Sequence, residues 1–190
     1  MDRITEAIGA LALLFTMMSI SLSPHPVLLI ASYLIHELGH LFFAKINSVK
    51  MGKIKLGPFK MKLFYDCSSV SYKRELLVCA GGIVFNLLCV IVTLPLKSHF
   101  EAISFFCVCN LSLALMNFYP VSTLDGGRIM RCLFLIIFEE ELATKICRVT
   151  SFLFAFFLWL FAVYLLLVLD SNASLFFISV FLLVELCFSA

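Results

Sequence analysis

Two histidines four residues apart, with a glutamate next to the first, occur in Ile35-His36-Glu37-Leu38-Gly39-His40-Leu41. On an α-helix residues i and i+4 share a face, so His36 and His40 can close on one metal ion with Glu37 beside them. The chain has only 4 histidines, and two of them fall here, with a glutamate, inside an apolar stretch. Ionisable groups are expensive in such surroundings and seldom persist there without a task. The competing reading is a pair of histidines that hydrogen-bond to neighbouring helices. A catalytic zinc site takes three protein ligands and leaves a fourth position for water. The candidate for the third lies far along the chain, in Asn117-Phe118-Tyr119-Pro120-Val121-Ser122-Thr123-Leu124-Asp125-Gly126-Gly127-Arg128. Pro120 breaks a helix there, and Gly126-Gly127 permits the tight backbone that would aim the Asp125 carboxylate. Alone, an Asp-Gly-Gly run is an ordinary loop; beside His36 and His40 it becomes a ligand candidate.

The elements that must position these residues are membrane helices. Of 190 residues, 63% are hydrophobic and 14% charged, where a soluble domain is about half apolar and about a quarter charged. The excess sits in long runs. That excludes a soluble enzyme, a disordered tail and a nucleic-acid binder, and a net charge of +2 is too small to imply a polyanionic partner. A hydrocarbon core of about 30 Å needs roughly 20 helical residues. Six segments meet that length or nearly so: about 4–22, 27–44, 76–96, 102–119, 149–169 and 175–189. The alternating ten-residue patterns of a barrel are missing, so the spans read as helices. The expected fold is an all-α integral membrane protein of about six transmembrane helices, a single polytopic domain over 1–190. The first run, with Arg3 before it and Ser19-Ile20-Ser21 after it, also fits a cleavable signal peptide. Its length, and Asp2 and Glu6 offsetting Arg3, favour a retained span.

Charge placement orients the bundle. Six spans put the N-terminus, residues 45–75, residues 120–148 and the C-terminus on one side, with 13 of the 14 lysines and arginines; Lys97 alone lies opposite. The positive-inside rule makes the first side cytoplasmic, with both termini inside a multi-pass cell-membrane protein. His40, just before Lys45, and Asp125, just after the fourth span, then lie at similar depth. His25 and His99 fall on the far side, out of reach as ligands. The 8 cysteines are scattered through spans and cytoplasmic segments without a C-x-x-C pair, so they read as small apolar residues rather than disulfides or ligands.

Residues 51–65 alternate lysine with apolar residues on both sides of Gly57-Pro58, the pattern of a short cytoplasmic-side β-hairpin with one basic and one apolar face. Two uses are open: a connector held on anionic lipid, or an exposed edge that pairs with an extended substrate. Ile129–Phe138, ended by Glu139-Glu140-Glu141, reads as an interfacial or re-entrant helix behind the Asp125 loop.

His36-Glu37-Leu38-Gly39-His40, followed by N-x-x-P-x-x-x-L-D-G-G carried by Asn117, Pro120, Leu124, Asp125, Gly126 and Gly127, resembles the site-2 protease family of intramembrane zinc metalloproteases. Gly81-Gly82-Ile83-Val84-Phe85-Asn86 resembles the glycine-plus-asparagine motif of that family, and the likeness covers a catalytic core of about 27–130. The small size is most like the stage IV sporulation protein FB branch, although Ser122 and Thr123 replace prolines often found there. The resemblance implies one Zn²⁺ per chain held by His36, His40 and Asp125, with Glu37 as general base. It also offers Asn86 and Asn117 as groups that bind the substrate backbone or a developing oxyanion, or that simply bond across helices. The implied activity is cleavage of a membrane-anchored or membrane-associated protein near the cytoplasmic face, in the sporulation branch a pro-sigma factor. Other membrane proteins would act as regulators. The alternatives are a small protease maturing another peptide or regulator, and a non-proteolytic zinc-binding transporter or scaffold.

Overall fold

The structure is a computed structural model that describes residues 26–49, 51–56, 61–65, 71–96, 101–168 and 173–189. The expected first span, the Gly57-Pro58 turn, His25, His99, Cys67 and the side chains of the 51–65 segment lie outside the described residues. In chain order the elements are helix α1 (Pro26–Ile46), strands β1 (Met51–Leu56) and β2 (Met61–Tyr65), and helix α2 (Tyr72–Thr93), which continues as a 3₁₀ turn over Leu94–Leu96. Helices α3 (Glu101–Phe118), α4 (Asp125–Ile137), α5 (Glu140–Val168) and α6 (Ser174–Ser189) follow. Four of the described helices, α1, α2 with its 3₁₀ turn, α3 and α5, are long and apolar enough to cross a bilayer. At 16 residues, α6 is about 24 Å long, short of the hydrocarbon thickness.

Helix α1 is inside-out relative to a helix of a soluble protein. Ile30, Leu34, Leu38, Phe42 and Ile46 form an outward apolar stripe at helical spacing, while Ser32, His36, Glu37, His40 and Ala44 are buried. Lipid solvates the first face as well as a protein core would, so packing decides which face turns inward, and small or polar residues pack best. The contact with α2 follows this rule. A Cβ at Gly39 would collide with the Gly81 carbonyl group, and one at Gly81 would lie 2.6 Å from the Gly39 carbonyl oxygen. Two bare backbones therefore touch, which brings the histidine face of α1 directly onto α2. At one end of this crossing Ala44, Val49 and Val78 close a small buried cluster.

Helix α3 joins through a polar contact. The fully buried Asn110 donates from Nδ2 to Ser32 Oγ on α1 at 2.9 Å and to the Phe106 carbonyl at 2.9 Å. Strands β1 and β2 pair antiparallel, with Ile54 opposite Leu63 and Lys55 opposite Lys62, and the register shifts between Met51 and Ile54.

Two sequence expectations change in the second half of the chain. The span expected from 149 begins at Glu140. Glu140 and Glu141 suit the positive end of a helix dipole, and Lys145 pairs with Glu141 at 2.6 Å, so the acids start α5 rather than merely ending α4. Asp125, expected in a loop, is the first residue of α4. Gly126 and Gly127 do not supply an unusual turn, since no described glycine has a positive φ. They let α4 start against the preceding chain: a Cβ on Gly126 would strike the Phe118 carbonyl, and one on Gly127 the Val121 carbonyl.

Candidate metal centre

Two helices deliver the candidate ligands. His36 and His40 lie one turn apart on the inward face of α1, and the first turn of α4 brings Asp125 against them. Asp125 Oδ2 is 3.0 Å from His36 Nε2 and 3.0 Å from His40 Nε2, and the two Nε2 atoms are 3.2 Å apart. All three residues are buried, and they form a group able to hold a metal ion. His40 Nδ1 is 2.8 Å from the Val78 carbonyl oxygen on α2. A carbonyl can only accept, so Nδ1 carries the proton and the Nε2 lone pair points into the site. Two imidazole nitrogens thus meet a carboxylate oxygen, a donor set that suits a metal ion. Tetrahedral zinc with bonds of about 2.0–2.1 Å would hold its ligand atoms about 3.3–3.4 Å apart. The observed spacings fall a few tenths of an ångström short of that, and two imidazoles with one carboxylate suit zinc.

Burial alone would raise the Asp125 carboxyl. The hydrogen bonds and charge of His36 and His40 outweigh that and hold it well below the usual carboxylate range, so it is ionised as a ligand must be. Glu37 is buried beside the triad, and its Oε2 has no hydrogen-bond partner among the described residues. An unpaired buried carboxylate one residue from His36 makes Glu37 a candidate for proton exchange at this centre.

The α2 backbone shapes the floor of the site. A Cβ at Gly82 would lie 2.6 Å from His36 Cε1 and 2.6 Å from His40 Nε2. Gly82→Ala is therefore expected to displace both rings and weaken zinc retention at least ten-fold, the lower end of what losses around a metal's ligands cost. Competition with a chromogenic chelator measures it, and retention equal to wild type would contradict the arrangement.

The segment carrying Asp125 is held from the other side by α5 and α6. Tyr119 Oη donates to the Phe154 carbonyl at 2.9 Å, and the Ser122 N–H donates to Ser151 Oγ at 3.0 Å. Val121 packs with Ala155 and Leu182 in a buried cluster. A proline at position 122 would have no N–H to give, so the departure from the proline pattern has a structural use here. Arg128 pairs with Glu75 at 3.7 Å, tying α4 to α2. Burial, and then the Glu75 carboxylate, push the Cys132 thiol up to about 12, which keeps it a packing residue rather than a ligand.

Of the sequence candidates, His36, His40 and Asp125 gather at one point, and Glu37 is buried next to His36 in the chain. Asn117 is turned back on its own helix, donating from Nδ2 to the Leu113 carbonyl at 3.0 Å. Asn86 is buried on α2 without a hydrogen-bond partner among the described residues. Sequence reasoning missed Gly39 as the partner of Gly81, the Ser32–Asn110 pair and the Glu75–Arg128 tie. A glycine inside the H-E-x-x-H run, asparagine within a span and opposite charges flanking the bundle were the available signals.

Comparisons with known proteins agree with this geometry. A sequence model of Peptidase family M50 matches residues 92–161, a range that includes Asp125 and its preceding segment but not His36 and His40. The zinc metalloprotease MJ0392 of Methanocaldococcus jannaschii is 31% identical over 114 residues, covering 56% of this chain and 33% of that protein. The chain thus spans about a third of the length of this curated relative. The solved structure of a site-2 protease from Methanocaldococcus jannaschii superposes with a TM-score of 0.69 at 27% identity, covering 92% of this chain and 85% of that one. Part of the chain is thus similar to Peptidase family M50 and to a zinc metalloprotease, and its fold is similar to that of a solved site-2 protease.

Proposed function

We propose that the chain is an intramembrane zinc metalloendopeptidase that cuts a membrane-anchored or membrane-associated protein near the cytoplasmic face. The observation that carries this reading is the meeting of His36, His40 and Asp125 within an apolar bundle, with the free Glu37 carboxylate beside them. Bound zinc supplies Lewis acidity and lowers the pKa of a water from 15.7 to about 7. Glu37 takes the proton of the attacking water and delivers it to the leaving amine. His40 is held in its ligating tautomer by the Val78 carbonyl, and Asp125 is held in place by α4, whose start is fixed against the 118–122 segment. The apolar shell of the bundle keeps bulk water from the site and strengthens each of these interactions.

A peptide must be extended to be cut, and the outer edges of the β1–β2 pair, unpaired among the described residues, offer it a place to align. Arrangement as one domain with a core of about 27–130, and an orientation with both termini cytoplasmic, rest on the lysine and arginine distribution and on the motif positions. The likeness to the stage IV sporulation protein FB branch extends the reading to a pro-sigma factor as substrate, a step supported by the motif resemblance alone.

Metal removal tests the reading. The chain is reconstituted in liposomes with a single-span reporter. Extraction with 1,10-phenanthroline should abolish reporter cleavage, and one equivalent of Zn²⁺ should restore it where Mg²⁺ does not. Cleavage that persists after the metal has been removed would refute a zinc peptidase.

A further inference from the structure

One polar side chain on α2 is left without a hydrogen-bond partner among the described residues. Asn86 is fully buried (0% exposed), and neither its Nδ2 nor its Oδ1 has a hydrogen-bond partner among the described residues. The other two span asparagines differ: Asn110 donates to Ser32 Oγ and the Phe106 carbonyl, and Asn117 to the Leu113 carbonyl. Buried amides are nearly always satisfied, and one left open on both atoms marks a place that a ligand or water completes.

Its position says which ligand. Asn86 is one turn beyond Gly82 on α2, so the two share a face, and Gly82 lies against both histidine rings. Helical side chains lean toward the helix N-terminus, so the Asn86 position inclines toward the turn of Gly82, against which the histidine rings lie. Glu37 Oε2 and His36 Nδ1 are also buried and unpartnered among the described residues. A carboxamide presents one donor and one acceptor in a plane, the complement of a peptide group. A substrate helix uses its own N–H and C=O groups internally, and an unwound segment in an apolar site must find others.

We propose that Asn86 is a backbone clamp: its Nδ2–H donates to a substrate carbonyl oxygen and its Oδ1 accepts from a substrate N–H, beside the bond that is cut. The proposal rests on the metallopeptidase reading and adds to it a positioning residue that recognises extended main chain whatever the substrate's side chains.

Two probes separate the clamp from the metal. Acetohydroxamate reports the metal site, and a hydroxamate carrying an extended Leu-Phe dipeptide reports the metal and the main chain together. Binding of each to the zinc-loaded protein is measured for wild type and Asn86→Ala, with zinc content determined for both. The expected result is unchanged zinc and acetohydroxamate affinity, with the dipeptidyl probe about ten-fold weaker, as for the loss of one or two buried hydrogen bonds. Methylating the clamped N–H of the probe should weaken wild type about as much and the variant no further. Equal weakening of both probes assigns Asn86 to packing and overturns the proposal, as does no weakening of either. If Asn86→Ala does not fold, the N-methylated probes decide on wild type, where no loss at any position overturns the clamp. Failure of both hydroxamates to bind wild type removes the metallopeptidase reading and the clamp with it.

Discussion

Glu37→Gln is expected to abolish cleavage and to leave the metal in place. Glutamine keeps the shape of the side chain but cannot accept a proton, and Glu37 contributes no atom to the His36, His40 and Asp125 group. General-base catalysis by a positioned carboxylate is worth about 10²–10⁴ in rate, so the variant should fall by at least the lower of these factors. The substitution is gentle for the fold, because Oε2 of Glu37 has no hydrogen bond among the described residues to lose. Rates on the liposome reporter and zinc per chain are the two measurements. Cleavage within a few-fold of wild type would remove the proposed mechanism; loss of zinc would instead make Glu37 a structural part of the site.

Asp125→Ala carries the second large effect. It removes the one anionic ligand candidate of the group and leaves the two imidazole Nε2 atoms 3.2 Å apart. It also takes an acidic group from the first turn of α4, where the helix dipole favours negative charge. Zinc retention should fall by more than the about 10–100-fold that changes behind the ligands cost. The α1–α2 glycine crossing does not involve position 125, so the variant should still purify as a folded membrane protein. Zinc analysis of the purified chain decides: a full complement in Asp125→Ala would discard Asp125 as a ligand and leave the histidine pair in need of another partner.

The ligand group was legible in the sequence because its physics is local or nearly so. A spacing of four puts His36 and His40 on one helical face, and the lysine and arginine distribution alone placed Asp125 at their depth. Contacts between helices were less legible. In lipid the apolar stripe faces outward, so hydrophobic periodicity gives the length of α1 without saying what its inner face touches. The touch between Gly39 and Gly81, the floor that Gly82 makes under the histidines, and the seating of Gly126 and Gly127 on the 118–122 backbone are relations between distant segments. In the sequence Gly126 and Gly127 have the look of turn formers, when their use is close approach. The early start of α5 was hidden for a related reason: hydropathy marks where a chain enters lipid, while the acids at Glu140 and Glu141 mark where the helix begins.

A metal transporter or scaffold would also bury histidines in a membrane. Transport needs polar groups along a path through the bilayer, whereas the ion pairs described around the histidines are the His36–His40–Asp125 group and the Glu75–Arg128 tie between α2 and α4. The unpaired Glu37 carboxylate has a use in hydrolysis that it lacks in carriage.

The central claim, that this chain cuts proteins in the membrane with Glu37, is tested most directly by comparing protein N-termini in cells expressing wild type or Glu37→Gln at matched levels. The account predicts new termini within or beside the spans of at least one membrane protein, present with wild type and absent with the variant. Identical sets of termini, with both proteins expressed and zinc-loaded, would contradict it.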